Sequence, residues 1–126
     1  MGNRPSVEAL RGRLDPKDRR HRFALAVAGY FVEPERALGL TPFVVKQSAE
    51  DAVWRSLGDY DLRPSLRALG VPAIVAHGDE DPIPIATARA TADALGAEFV
   101  AIERCGHVPY VEAPAELVPP LLRFLE

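Results

Sequence analysis

The sequence is poor in the groups that staple or anchor small proteins. Its 126 residues hold one cysteine, one methionine and one tryptophan, and only 7% of residues are aromatic. A single cysteine excludes an intramolecular disulfide framework and agrees with a reducing compartment, so a cytoplasmic location is expected. No apolar run approaches the roughly 18 residues that a membrane helix requires. Residues Met1 to Val7 show neither a basic stretch followed by an apolar one nor a small-residue cleavage site, so no secretion signal is expected. What is present, 48% hydrophobic and 26% charged residues, suits a soluble globular domain. The length matches one ordinary domain, and neither an internal repeat nor a low-complexity stretch interrupts it.

The net charge of −3 is unevenly spread, with seven Lys/Arg against three Asp/Glu in residues 1–22 and eight against fifteen in the remainder. Clustered arginines attract phosphate. Here acidic residues intersperse with Arg19, Arg20 and Arg22, and no aromatic alternates with them for base stacking. The segment reads as a solvated helix face, His21 included, and neither nucleic acid nor membrane is an expected partner.

The chain changes character near residue 60. Before it the signals are helical: Val7, Leu10 and Leu14 share one face, and Asp15-Pro16-Lys17-Asp18 offers a cap and a first-turn proline for a second helix from Pro16. That helix should run through Phe31, apolar almost all round and therefore covered on more than one side, until Pro34 ends it. Ser48-Ala49-Glu50-Asp51 is a cap signature for a helix carrying Val53, Trp54 and Leu57 and closed by Gly58. After residue 60, helix and strand alternate. Pro64 to Leu69 should be a short helix, Val71 to Ala76 a strand buried on both faces, Pro84 to Leu95 a helix, and Ala97 to Ile102 a second strand. A last helix from Pro114 should be kinked or split by Pro119 and Pro120. The fold class is α/β, with a helical segment over 1–60 and a βαβα unit over 61–126.

A strand, helix, strand order with short connections implies a right-handed crossover between parallel strands, whose ends then share one edge. Ligands collect outside that edge in open parallel sheets. The first strand leads into Asp79, Glu80 and Asp81, the second into Cys105, Gly106 and His107. A carboxylate facing a histidine fixes its tautomer and leaves the other ring nitrogen to act as a base. A loop of turn formers with a capping carboxylate would look the same in sequence. Mixed ligands at His77, Asp79, Asp81 and His107 would also suit zinc or iron. Cys105 beside an imidazole would be a nucleophile if its thiol were activated. Trp54, Tyr30 and Phe31 lie at spacings that suit core packing first and a pocket lining second.

The stretches Gly78-Asp79-Glu80-Asp81-Pro82 and Gly106-His107-Val108-Pro109-Tyr110-Val111-Glu112-Ala113-Pro114 carry a resemblance. From Asp61 to Glu126 the chain resembles the C-terminal third of α/β-hydrolase-fold enzymes, in which such loops hold the triad acid and base. The resemblance implies Asp81 as the orienting acid and His107 as the base. Glu112 and Pro114 would fix the loop after the histidine and start the last helix. Residues 7–60 look like the tail of a helical cap, and Trp54-Arg55-Ser56-Leu57-Gly58-Asp59-Tyr60-Asp61-Leu62 is similar to proline iminopeptidase-like and esterase-like members.

The family's nucleophile sits in a Gly-x-Ser-x-Gly elbow, and none of Ser6, Ser48, Ser56 and Ser65 lies in one. The resemblance therefore implies the C-terminal part of a serine hydrolase of esters or amides, without a resident cofactor or metal and inactive alone. Two parallel strands cannot be covered by these helices, so a free edge and apolar surface are expected, with self-association or an N-terminal half as partner. A noncatalytic oligomerising scaffold and a metal-dependent enzyme are the alternatives.

Overall fold

Residues 5–126 are described by a computed structural model. Helix α1 spans Pro5–Arg11 and α2 spans Arg19–Val27. The start of α2 is later than expected from Asp15-Pro16. The Asp18 carboxylate, not that of Asp15, caps the helix, accepting from Arg20 N at 2.7 Å and His21 N at 3.0 Å. Asp15 instead closes a turn by accepting from Lys17 N. Hydrogen bonds to its backbone N–H donors, that of His21 first, hold the Asp18 carboxyl below its ordinary pKa. The helix also stops earlier, tightening into a 3-10 turn at Ala28–Tyr30, with a second 3-10 segment over Pro34–Gly39. His21 is not a plain surface residue, because its Nδ1 accepts from Asp15 N.

Leu10, Ala24, Ala28, Phe31, Ala37 and Val108 form one buried cluster, against which Val7, Leu14 and Leu25 pack. Full burial of a side chain such as Leu10 or Phe31 contributes roughly 1.5–3 kcal/mol. The basic face stays in solvent: Arg22 donates to Lys17 O, Arg20 to Leu38 O, and Arg13 pairs with Glu35. Arg4 of that basic segment lies outside the described residues.

Helix α3 spans Gln47–Leu57 and α4 spans Arg63–Leu69. Ser48 falls inside α3, whose N-cap, Lys46, makes no side-chain cap bond. Every residue from 43 to 65 is exposed. Trp54, at 59% exposure, is therefore not a core residue.

The sheet has two parallel strands, β1 (Ile74–Gly78) and β2 (Glu98–Ile102), joined by α5 (Ile85–Leu95), with Ile74 opposite Glu98 and Gly78 opposite Ile102. This confirms the α/β class. Strand β1 begins three residues later than the apolar run, since Pro72 has no N–H for a ladder, and it extends through His77 and Gly78. Only Gly78 of β1 is fully buried, because the strand pairs solely with β2 among the described residues. The expectation of burial on both faces is thus corrected.

Gly96 ends α5 in the left-handed region, with its N–H bonded back to the helix. A four-residue helix α6 (Pro109–Glu112), not expected from the sequence, precedes α7 (Pro114–Leu125). Pro119 and Pro120 do not split α7, which is continuous through both, with Pro120 buried. Ile102, Cys105, Ala113 and Leu117 form the second cluster, backed by Ala76, Val100 and Leu121. No helix among the described residues is long and apolar enough to cross a membrane.

Candidate functional site

Parallel pairing brings the ends of β1 and β2 to one edge, and backbone bonds continue the pairing past the strands. Asp79 N donates to Ile102 O at 3.0 Å and Glu80 N to Cys105 O at 2.9 Å. Two glycines allow this closeness. A Cβ on Gly78 would overlap the carbonyls of Cys105 and Gly106, and one on Gly106 would overlap the carbonyl of Tyr30. The turn that brings the second loop back uses Arg104 in the left-handed region at φ 51°, at a cost of about 1 kcal/mol.

The three acidic residues after β1 separate in space. Asp79 Oδ1 lies 3.4 Å from Cys105 N, a weak contact with the loop backbone. Glu80 lines a surface groove with Glu103, Glu112 and Glu116. Asp81 turns toward the imidazole: its Oδ2 lies 2.8 Å from His107 Nδ1, and its Oδ1 accepts from Ile83 N at 2.8 Å. Asp81 is 4% exposed at its side chain and His107 43%. A carboxylate accepts, so His107 carries its proton on Nδ1, and no hydrogen bond engages Nε2 among the described residues. The pair can orient a base and stabilise the cation that forms when the base takes a proton.

Glu112 holds the histidine loop in place. Its Oε2 accepts from Gly106 N at 2.9 Å and its Oε1 from Val32 N at 2.8 Å, a contact between positions 80 residues apart. His107 N donates to Tyr30 O at 2.7 Å. Cys105 belongs to the second buried cluster and Val108 to the first, so the segment bearing His107 bridges both cores.

Two clefts meet at the imidazole. One, of about 470 Å³, runs along β1 past His77, Asp81 and Thr87 to His107. The other, of about 360 Å³, is bounded by Val27, Tyr30, Leu40, Phe43 and Tyr110. The Tyr30 ring centroid lies 5.1 Å from that of His107, and Phe23 meets Phe43 edge-to-face at 4.9 Å. Of the three aromatics considered from sequence, Tyr30 therefore lines a cleft, Phe31 is core and Trp54 is neither.

Neither a family model nor a curated protein matches this chain.

The other candidate chemistries fit less well. Burial, then the negative charges of Glu112, Asp79 and Asp81, push the Cys105 thiol up to about 11, the opposite of an activated nucleophile. Among the described residues no group of three or more His, Cys, Asp and Glu side chains is arranged to hold a metal ion. His77 Nε2 meets Ile83 O at 2.9 Å, and Asp79 faces the Cys105 backbone, so the four residues considered as ligands do not converge. No serine lines either cleft at His107.

Sequence reading missed the part played by the Tyr30 carbonyl, which lies 77 positions from the His107 amide it receives. It also missed the contact of Ile83 with both Asp81 and His77. The spacing of Glu112 after Gly106 was the one local signal for the staple that reaches Val32.

Proposed function

We propose that this chain is the C-terminal part of an α/β-fold serine hydrolase acting on an ester or amide, with His107 as general base and Asp81 as the acid that orients it. The observation that carries the reading is the 2.8 Å contact between His107 Nδ1 and a buried Asp81 oxygen, made across 26 residues at the open edge of a parallel sheet. Asp81 keeps the proton on Nδ1, so the Nε2 lone pair can accept the proton of a serine hydroxyl as that oxygen attacks the carbonyl carbon. The imidazolium, stabilised by Asp81, then protonates the leaving alcohol or amine. Deacylation repeats the sequence with water as nucleophile. The serine and the oxyanion donors come from another segment or chain, because no serine here lies in a Gly-x-Ser-x-Gly elbow. The chain alone is silent.

The test combines this chain with an N-terminal hydrolase half bearing that elbow. Restored esterase activity should vanish in His107→Ala and fall about 10³–10⁴-fold in Asp81→Asn. Full activity in either variant, or stoichiometric fluorophosphonate labelling of the chain alone, would overturn the assignment.

A second reading, a noncatalytic module that oligomerises, is favoured by a different observation. Phe43, Val44, Val45, Val53, Trp54 and Leu62 are all more than half exposed. Light scattering that shows a concentration-dependent oligomer, together with no activity after complementation, would favour it over the first.

A further inference from the structure

His77 is the fourth residue of β1 and one of only three histidines, and the proposed catalytic pair does not use it. Its side chain is only 12% exposed. The Nε2 atom lies 2.9 Å from Ile83 O, and since a carbonyl only accepts, Nε2 carries the proton. Ile83 is thereby gripped at both ends of its backbone, with its N–H donated to Asp81 Oδ1 at 2.8 Å and its carbonyl held by His77. The same Nε2 is 3.7 Å from Asp81 Oδ2, beyond hydrogen-bond reach, while His107 meets that oxygen at 2.8 Å. Two imidazoles face one carboxylate oxygen, and only one bonds to it.

We propose that His77 is a positioning residue: by holding the Ile83 carbonyl it sets the Ile83 N–H against Asp81 Oδ1, which turns Oδ2 toward His107 alone. The chain of contacts explains why a histidine suits the end of β1. Its ring is rigid, its donor lies at the far side of the ring, and it reaches a carbonyl six residues on, which a shorter side chain would not. Engagement with Ile83 also keeps the Nε2 proton from Asp81 Oδ2, so His77 does not compete with His107.

The inference rests on the reading of Asp81 and His107 as a working pair, but its test needs no activity. Long-range ¹⁵N–¹H correlation spectra of the full chain report the tautomer of each histidine, and hydrogen exchange reports the Ile83 amide. In His77→Leu, which keeps bulk and loses the donor, His107 should lose its fixed Nδ1–H form and Ile83 should exchange about tenfold faster or more. His77→Gln, whose amide reaches about as far as Nε2, should restore both signals. His77→Asn, polar but too short, should not. If His77→Leu fails to fold, the contrast between Gln and Asn decides the matter. Parent-like His107 and Ile83 signals in the Asn variant would overturn the proposal. Failure of every complementation assay, with these signals behaving as expected, would count against the hydrolase reading and leave the positioning role standing.

Discussion

Residues 74–112 and residues 43–65 are both rich in apolar side chains, yet the structure treats them in opposite ways. In the first, polar groups find partners far along the chain: Glu112 reaches Val32, Asp81 reaches His107, and the His107 amide reaches Tyr30. In the second, the side-chain bonds stay local. Gln47 bonds Asp51, Ser56 bonds Val53 O, and Arg63 bonds Asp61. Helix α3 has no buried residue, although Val53, Trp54 and Leu57 lie on one face of it. Amphipathic pattern alone therefore does not tell whether a face is covered. Long-range hydrogen bonds hold the part of this chain that carries the Asp81–His107 pair, and of the exposed segment only Phe43 reaches the clefts beside it.

That contrast can be broken at its strongest point by Gly106→Ala. The added Cβ collides with the Tyr30 carbonyl, so urea unfolding should show a loss of about 3 kcal/mol, at the upper end of overpacking costs. An unchanged midpoint would mean that the close approach of the two segments is not maintained in solution. Glu112→Ala ranks next. It strips partners from Gly106 N and Val32 N, and about 2 kcal/mol should be lost in the same assay; Glu112→Gln should recover no more than about half, because its amide offers one acceptor oxygen to two N–H donors.

Acid should act on the helical side in a directed manner. The folded-state pKa of Asp18 is lowered from 3.8, so its stabilisation is complete above the unfolded value and is lost as pH falls through the folded one. Thermal melts of the parent and of Asp18→Asn, which caps without titrating, should therefore converge or cross as pH is taken from neutral to below about 3. A constant difference between them would remove Asp18 from the acid response. The smallest effect belongs to the exposed segment: Trp54→Ala should change the stability of the dilute monomer by no more than about 0.5 kcal/mol. A larger loss that grows with protein concentration would show that a second copy covers α3.

Much of the fold could be read from sequence because its signals are local. Gly70 and Gly96 stop helices where a left-handed residue is needed, and the apolar run before His77 together with the one before Glu103 marks the strands. The errors were also local competitions. Asp15 and Asp18 both offer caps, and which one wins depends on whether Pro16 opens a helix or a turn. Pro72 delays β1, and Pro119 and Pro120 lie in α7 without splitting it.

The candidate pair was legible because Asp81 and His107 each follow a strand, and parallel strands deliver their ends to one edge. Its supports were not, because the Tyr30 carbonyl and the Val32 amide belong to backbone groups that every residue carries and no side-chain pattern announces.

The sequence by itself determined the α/β class, the helix stops, and the presence of a carboxylate and a histidine at one edge, since these follow from backbone sterics and from residue order. Only the tertiary structure decided that the Asp79 carboxylate faces the Cys105 backbone, that Cys105 is buried with its thiol pushed up to about 11, and that α3 is exposed. Those outcomes depend on distances between groups remote in the chain, and such distances are set by packing rather than by any residue's own preference.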